Sequence, residues 1–468
     1  MRTASIAVLV LAAALSSAHA EGFTLVTTTD FSTGSTSSID RATHTSTNDV
    51  EPISPDAVVR WFGDYVYVVN RGAAGNIQLL DWTDDSFNTV HQWSTGNGSN
   101  PHDIYVNDTG TVAYITRYDM NSVLKMDLTT GATLTTISLA AFADADGIPE
   151  MDQMFHQNQF LYVLVQRLDR NNFYSPTGAS YVVKINMNTD TVVDFAPGIP
   201  GLQAIPLFHT NPYSEIVDAL NGKLWLSAVG FFGVNDGGVI EISPADATQQ
   251  TDILSETVAG GDILDVAKLS PTRAYAIVAN ASFETILIEF NPSNGTKTGA
   301  TIYNPHDYVL SDLEIGTDLM LADRTPTNPG VRFFNMTNNT QILANPLDVG
   351  LPPFDILEEL QACPTGGCGT AVGDAPAVAH LGQNYPNPFN PETSIPFTLA
   401  NAGRVTMRVY DVNGHFVATL LDENRGAGEH VARWDGRDAR GRASSSGIYF
   451  ARLEANGTTE TRKMVLLK

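Results

Sequence analysis

The segment NPHDIYVNDTGTVAYITRYDMNSVLKMDLTTGATLTTISL, residues 100–139, decides the fold. It reads as four short strands in series. Pro101 to Val106 opens behind a Pro-His-Asp turn. Ala113-Tyr-Ile-Thr-Arg-Tyr118 is an apolar and aromatic run. Val123 to Leu128 ends at an Asp/Thr/Gly turn, and Thr133 to Leu139 follows as an outer strand. Four strands in roughly forty residues have the size of one β-propeller blade.

Similar units lie on both sides. The second-strand run recurs as Phe23-Thr-Leu-Val-Thr-Thr, Tyr65-Val-Tyr-Val-Val-Asn, Leu161-Tyr-Val-Leu-Val-Gln, Leu224-Trp-Leu-Ser-Ala-Val, Ala274-Tyr-Ala-Ile-Val-Ala and Leu319-Met-Leu-Ala-Asp. The starts at 65, 113 and 161 are 48 apart, and the next steps are 63, 50 and 45. Seven such strands predict seven blades, with a long insertion between 161 and 224. Helical periodicity is nearly absent. The chain enters at a second strand, Phe23, and Pro353-Phe-Asp-Ile-Leu-Glu-Glu-Leu360 is a first strand with no successor. It is therefore expected to join the N-terminal strands in one blade. That would close the ring and remove the open sheet edge.

Tyr65-Val-Tyr-Val-Val-Asn-Arg, Asn76-Ile-Gln-Leu-Leu-Asp and Asn100-Pro-His-Asp-Ile-Tyr-Val resemble the YVTN-type, surface-layer-like propeller repeats of bacterial exported proteins. The resemblance covers residues 23–360. It implies the fold and leaves the activity open, because propellers host unrelated functions.

Composition narrows the function classes. The 468 residues carry 51 acidic and 26 basic side chains, a formal charge of -25. Nucleic acid and anionic lipid both demand clustered cations, so neither is an expected partner. The charge is uneven: residues 21–379 hold 42 acids and 14 bases, residues 380–468 hold 9 and 11. Two units are expected, a propeller over 21–360 and a second domain over 381–468. Between them, residues 361–380 form a Gly/Ala/Pro-rich linker. In this linker Cys363 and Cys368 are expected to form a small local disulfide in an exported protein.

Residues 381–468 alternate with period two between Gly turns, which predicts a small β-sandwich of six or seven strands. Leu381-Gly-Gln-Asn-Tyr-Pro-Asn-Pro-Phe-Asn-Pro-Glu-Thr393, Val409-Tyr-Asp-Val-Asn-Gly414, Trp434-Asp-Gly-Arg-Asp438 and Ser446-Gly-Ile-Tyr-Phe-Ala-Arg-Leu453 resemble the C-terminal sorting domain of type IX secretion cargo. The variant is the one similar to the Ig-like domain of the flagellar hook-capping protein. The resemblance implies a sorting signal in Arg462, Lys463, Met464, Val465, Leu466, Leu467 and Lys468, read by a secretion machinery. At the other end, Arg2, the apolar run Ser5 to Leu15 and Ala18-His-Ala20 read as a signal peptide cleaved between Ala20 and Glu21. No stretch is long and apolar enough to span a bilayer. The expected location is extracellular or on the outer cell surface.

Three constellations carry candidate chemistry. Asp144, Asp146, Glu150 and Asp152 place four carboxylates within nine residues, with Gly147 after the second, and are candidate calcium ligands. The alternative is a solvated acidic loop. Asn-Pro-His-Asp occurs at 100–103 and 304–307, so His102 and His306 are candidate funnel residues, with His156 and His209 on the same side. Together they suit a transition metal or acid–base work; the alternative is Asp as a turn former. The run Leu161 to Tyr174, with Arg167, Arg170, Asn171, Asn172 and Phe173, is a candidate binding rim; the alternative is the base of the 161–224 insertion. Trp61, Tyr65, Tyr67, Trp82, Trp93 and Trp225 are read as inter-blade packing. The expected function is an exported, non-enzymatic binding or scaffold protein that meets a surface ligand through one propeller face. The alternative is an extracytoplasmic metal-dependent lyase or hydrolase with its site in the funnel.

Overall fold

The structure, a computed structural model, describes residues 23–357 and 379–466 apart from 63–64, 82–86, 108, 215–216, 219–222, 244–249, 382–383, 385–388, 390, 400–402, 412–414, 427 and 456–457. These residues form two compact units, divided in the stretch that separates 357 from 379. Signal-peptide residues Ala20 and Glu21, the cysteines Cys363 and Cys368, and the terminal Leu467 and Lys468 lie outside the described residues.

The first unit is a seven-bladed propeller. Blade 1 orders Thr45–Ile53, Gly34–Asp40, Phe23–Thr29 and Pro353–Ile356 from rim to axis. Blade 2 holds Ala57–Phe62, Tyr65–Asn70, Asn76–Asp81 and Thr89–Ser94. Blade 3 holds Pro101–Val106, Val112–Arg117, Ser122–Asp127 and Thr133–Ser138, the four strands read from residues 100–139. Blade 4 holds Met151–Gln157, Phe160–Val165, Tyr181–Asn186 and Thr191–Val192. Blade 5 holds Val217–Asp218, Leu224–Ala228, Gly238–Ile242 and Gln250–Ser255. Blade 6 holds Gly261–Ser270, Arg273–Asn280, Thr285–Asn291 and Thr296–Tyr303. Blade 7 holds Leu310–Ile315, Leu319–Asp323, Gly330–Asn335 and Thr340–Gln341. All pairings within blades are antiparallel.

Burial explains why the second strand carries the repeat signal. Val66–Asn70, Ala113–Arg117, Leu161–Val165 and Leu224–Ala228 are buried at every position. A strand covered on both sheet faces reads as a continuous apolar run. The outermost strands face solvent and lose that pattern; Thr89–Ser94 buries only Trp93. The apolar cores lie between blades. Tyr67, Val69 and Ile77 of blade 2 pack with Ile104, Ile115 and Met126 of blade 3. Blades 7 and 1 share Met320, Val331 and Phe333 with Val26, Ile39 and Ile356. Seven such cores serve seven blades, one per interface, which is the number a closed ring needs and one more than an open fan would have. Trp93 and Trp225 are core residues of these interfaces, as read from sequence.

Closure follows the expected route. Val26 pairs with Ile356, Thr27 with Asp355 and Thr28 with Pro353. The strand covers Pro353–Ile356 and Leu357 follows it; residues 358–360 are outside the described set. The insertion before 224 resolves into a two-stranded ribbon, Leu168–Asp169 with Ser175–Pro176, and the strand Ile205–Pro206, which pairs with the third strand of blade 4.

The second unit is a two-sheet sandwich. One sheet holds Ala379–Leu381, Thr393–Leu399 and Gly428–Trp434. The other orders Phe416–Arg425, Gly403–Asp411, Gly447–Ala455 and Thr458–Leu466. Its core gathers Phe389, Ile395, Phe397, Met407, Leu453 and Trp434. Met464 and Leu466 are part of that core, and Arg462 Nε donates to Leu381 O at 2.8 Å. The last strand is thus built into the fold of the domain.

Candidate functional site

Strand alternation fixes two propeller faces. Connections from second to third strand, and from fourth strand to the next blade, emerge on one face, here the upper face. The remaining turns emerge on the other. Every candidate of the acidic and histidine constellations except His156 belongs to the upper face or the inner-strand ends below it.

The inner strands share a device that the sequence motif hid. Five of the seven contain a register shift that leaves one or two residues unpaired: Phe354 in blade 1, His102 in blade 3, Asp152 with Gln153 in blade 4, Leu264 in blade 6 and Ser311 in blade 7. A bulge of this kind re-aims the extra side chain. In four blades an Asp follows the bulge and accepts a backbone N–H from the next inner strand. Asp355 Oδ2 accepts from Val59 N at 2.8 Å, Asp103 Oδ2 from Met154 N at 2.8 Å and Asp312 Oδ2 from Ile356 N at 2.5 Å. Asp265 accepts from Leu313 N. Asp103 also accepts from its neighbour Ile104 N and from Arg60 Nε, both at 2.8–2.9 Å. These carboxylates tie consecutive blades around the axis, so the turn-capping alternative describes Asp103, with the capped N–H in the next blade.

Burial pushes the carboxyls of Asp103 and Asp355 upward. Asp265 is pushed up to about 7 by burial, against the pull of its N–H donors, and it faces Asp312 across the blade 6–7 interface. A raised folded-state value means that the proton stabilises the native ring. That contribution is full below the ordinary carboxyl range and is lost as pH rises through about 7. Propeller stability is therefore expected to fall between about pH 4 and 8 by on the order of 2–4 kcal/mol. Asp265→Asn, a permanently neutral side chain, should remove this component, leaving the part centred on Glu256, whose carboxyl burial raises to about 8. Melting temperatures across this range for both proteins check it; parallel curves would count against a proton held on Asp265.

The bulges bring His102 and Asp152 together. His102 Nδ1 lies 2.9 Å from Asp152 Oδ1. Gln166 Nε2 donates to Asp152 Oδ2 at 3.0 Å, and Gln166 Oε1 accepts from the Tyr118 hydroxyl at 2.9 Å. The Tyr118 ring stacks on the His102 ring with centroids 4.1 Å apart. Gln166 thereby fixes both the carboxylate and the stacking partner of one imidazole. The carboxylate selects the tautomer with hydrogen on Nδ1 and leaves Nε2 as the acceptor.

The second Asn-Pro-His-Asp is not equivalent. His306 lies in the connection ahead of Leu310–Ile315, exposed, with Nδ1 3.4 Å from Glu284 Oε1. In blade 7 the bulge position equivalent to that of His102 is Ser311. His209 pairs with Asp252 at 2.6 Å, and His156 lies against Tyr105 with ring centroids 4.3 Å apart. The four histidines thus have separate partners, which corrects the expectation of a shared pocket. The four-carboxylate stretch also disperses. Asp144 Oδ1 and Asp146 Oδ1 accept turn N–H groups from Asp146 and Ile148. Glu150 is buried and accepts from Leu168 N and Arg170 Nε, and Asp152 serves His102. Among the described residues no three His, Cys, Asp or Glu side chains gather closely enough to hold a metal ion.

Most of the rim run is the base of the insertion, its alternative reading. Leu161–Val165 is a buried strand, and Arg170 is tied to Glu150, Asp119 and Tyr118 O. The exposed part is Asn171 to Tyr174, at the tip of the ribbon, with the rings of Phe173 and Tyr174. They belong to a larger set. Exposed on the same upper face are Phe31, Phe208, Tyr213, Phe231, Phe232, Phe283 and Tyr308. On the lower face, Tyr65 is the exposed aromatic among the described residues. Phe31, Phe173, Tyr174 and Phe283 have φ of 66°, 53°, 54° and 57°. Left-handed backbone is costly for bulky side chains. Phe31 is braced by Arg324, whose guanidinium lies 4.5 Å from the ring centre, and Tyr213 meets Phe232 edge-on at 5.6 Å.

Fold and site define a class: a seven-bladed propeller with an aromatic upper face, followed by an Ig-like module. The FlgD Ig-like domain family matches residues 389–459. No curated protein matches the chain. Among solved structures, one protein from Lactobacillus plantarum is 12% identical, with a TM-score of 0.51, over 72% of this chain and 99% of that one. A putative 6-phosphogluconolactonase from Bacteroides uniformis is 16% identical, with a TM-score of 0.47, over 72% of this chain and 98% of that one. Likeness at this identity speaks for the fold alone.

Proposed function

We propose that this is an exported binding protein whose propeller engages its ligand through the upper face. The carrying observation is the placing of Phe31, Phe173, Tyr174 and Phe283: exposed rings at left-handed backbone positions on one face. Glycine or asparagine would fit such turns at lower cost. A solvent-facing ring contributes little to folding, so strain held there supports a role in recognition. The double variant Phe173→Gly and Phe283→Gly separates the two roles. Its melting temperature should stay level or rise, because both turns relax. Its retention on the surface of producing cells should fall at least about tenfold, the scale of an aromatic hot spot. Unchanged retention would overturn the reading.

Export rests on the sequence: the cleavable leader before Glu21 and the likeness of residues 381–468 to type IX sorting domains. Residues 381–468 fused to a neutral reporter should carry it out of a host that has the type IX machine. Removing Lys463 to Lys468 cannot separate sorting from folding, since Met464 and Leu466 are core residues. The surface change Lys463→Glu is the cleaner probe. A fusion that stays inside would sink the sorting role.

The enzyme alternative draws support from one observation, the His102–Asp152 pair. It favours acid–base work in the funnel mouth. If turnover is found, His102→Ala should lower it by about 10²–10⁴-fold and His306→Ala should leave it unchanged.

A further inference from the structure

Three connections beside blades 5 and 6 bring aromatic side chains together on the upper face. Tyr213 stands ahead of Val217–Asp218, Phe232 between Leu224–Ala228 and Gly238–Ile242, and Tyr308 ahead of Leu310–Ile315. The Tyr213 and Phe232 rings meet with centroids 5.6 Å apart and planes at 85°, as two adjoining walls. Each of the three residues is between 43% and 50% exposed, so the rings are open to a ligand.

The loop that carries Phe232 is held from three sides. Gly230 N donates to Thr210 O at 2.9 Å, Phe231 N to Asp236 Oδ1 at 3.0 Å and Gly233 N to Asp262 Oδ2 at 2.8 Å. The last bond sets a buried carboxylate one residue from Phe232. Among the described residues no cation pairs with Asp262 or Asp236. Burial raises the Asp262 carboxyl and Asp236 adds to the effect; a nearby cation would relieve both. Burial also pushes the Tyr213 and Tyr308 phenols above their ordinary value, and Tyr308 is raised further by Tyr213 and Asp262, which sets these groups near one another. Neither hydroxyl has a hydrogen-bond partner among the described residues. Arg71, whose charge reaches Tyr213, is itself neutralised by Asp56, with Nε 3.0 Å from Oδ1.

Ring faces carry negative charge density, and a carboxylate near them adds to it. We infer that Tyr213, Phe232 and Tyr308, backed by Asp262, form a recognition box for an alkylammonium group. An anion would be repelled by Asp262 and Asp236, and a neutral apolar group would gain nothing from either. The inference rests on the upper face being the ligand-binding face and names the chemistry of the ligand there. A lysine side chain of a polypeptide or a free quaternary amine can offer the group.

The test uses the protein lacking residues 1–20. N-acetyl-lysine methylamide and choline are titrated by ligand-observed NMR, with N-acetyl-norleucine methylamide as the neutral isostere. The acidic propeller attracts any cation weakly, so comparison with variants decides. Phe232→Ala and Tyr308→Ala alter exposed side chains and should keep the melting temperature within about 2 °C. Each should weaken ammonium binding by about threefold to tenfold. Asp30→Asn, which removes one charge from the same face in blade 1, should leave it unchanged. A stronger response to the lysine derivative marks a polypeptide partner; a stronger response to choline marks a quaternary amine. No response above that of the norleucine derivative, or equal affinity in Phe232→Ala and Tyr308→Ala, would overturn the box. Loss of cell-surface retention in the Phe173→Gly and Phe283→Gly variant with no ammonium response removes the box and keeps the face. An ammonium response lost in the box variants, with retention unchanged, keeps the box and removes the wider face.

Discussion

A chain that stops after Pro352 is expected to lose the cooperative melting of the propeller, while a chain that stops at residue 360 keeps it. The difference is one short strand, Pro353–Ile356, and Leu357 behind it. Ile356 and Leu357 are buried in the cores shared with blades 7 and 2. Burying two such side chains is worth about 3–6 kcal/mol. The truncated chain also loses the pairing with Phe23–Thr29, the Asp355 bond to Val59 and the bond from Thr24 Oγ1 to Leu357 O. Blade 1 is left with an open inner edge. The whole stability of a domain is about 5–15 kcal/mol, so the loss is of the same size. Calorimetry of the two chains decides it: equal transitions would show that the ring does not depend on this strand.

The second large effect is expected from Asp103→Ala. Asp103 is buried and accepts from Met154 N, Ile104 N and Arg60 Nε. Removing it takes the carboxylate from a guanidinium that is only one-fifth exposed, which keeps its bond from Nη1 to Val59 O, and takes the side-chain acceptor from two buried N–H groups. Breaking a buried pair in this way costs about 3–5 kcal/mol. For a domain of this size that corresponds to a fall in melting temperature of about 4–7 °C. Asp103→Asn, which can still accept from Met154 N, should lose less. A melting temperature within about 2 °C of the parent for the alanine variant would show that the bond between blades 3 and 4 contributes little.

These effects separate what the sequence could express from what it could not. The seven second strands were legible because each is buried on both faces, so Tyr65–Asn70 or Leu161–Val165 reads as an unbroken apolar run. Closure was legible because a first strand was left over at Pro353. The sandwich was legible through alternation, as in Gly447–Ala455. The site was less so. Asn-Pro-His-Asp reads identically at 100 and 304. Only the first is an inner strand with its His at the bulge; the second stands in the connection ahead of one. A bulge depends on the register against the next strand, which local sequence does not state. The partner of His102, Asp152, lies fifty residues away and looked like part of a calcium loop. The upper-face aromatics are scattered one or two to a turn, from Phe31 to Tyr308. One signal was present: a bulky ring set among turn formers, as in Asp30-Phe-Ser-Thr, Asn172-Phe-Tyr-Ser and Ala281-Ser-Phe-Glu. Such a residue pays for its position with backbone strain, and the gain must lie outside the turn.

The most direct measurement is hydroxyl-radical footprinting of the protein lacking residues 1–20, free and bound to the surface of producing cells. Aromatic side chains are the natural reporters. The account predicts protection of Phe173, Phe231, Phe232 and Phe283 on binding, with Tyr65 on the lower face unchanged. Protection confined to Tyr65 and the lower turns, or none on the propeller, would contradict it.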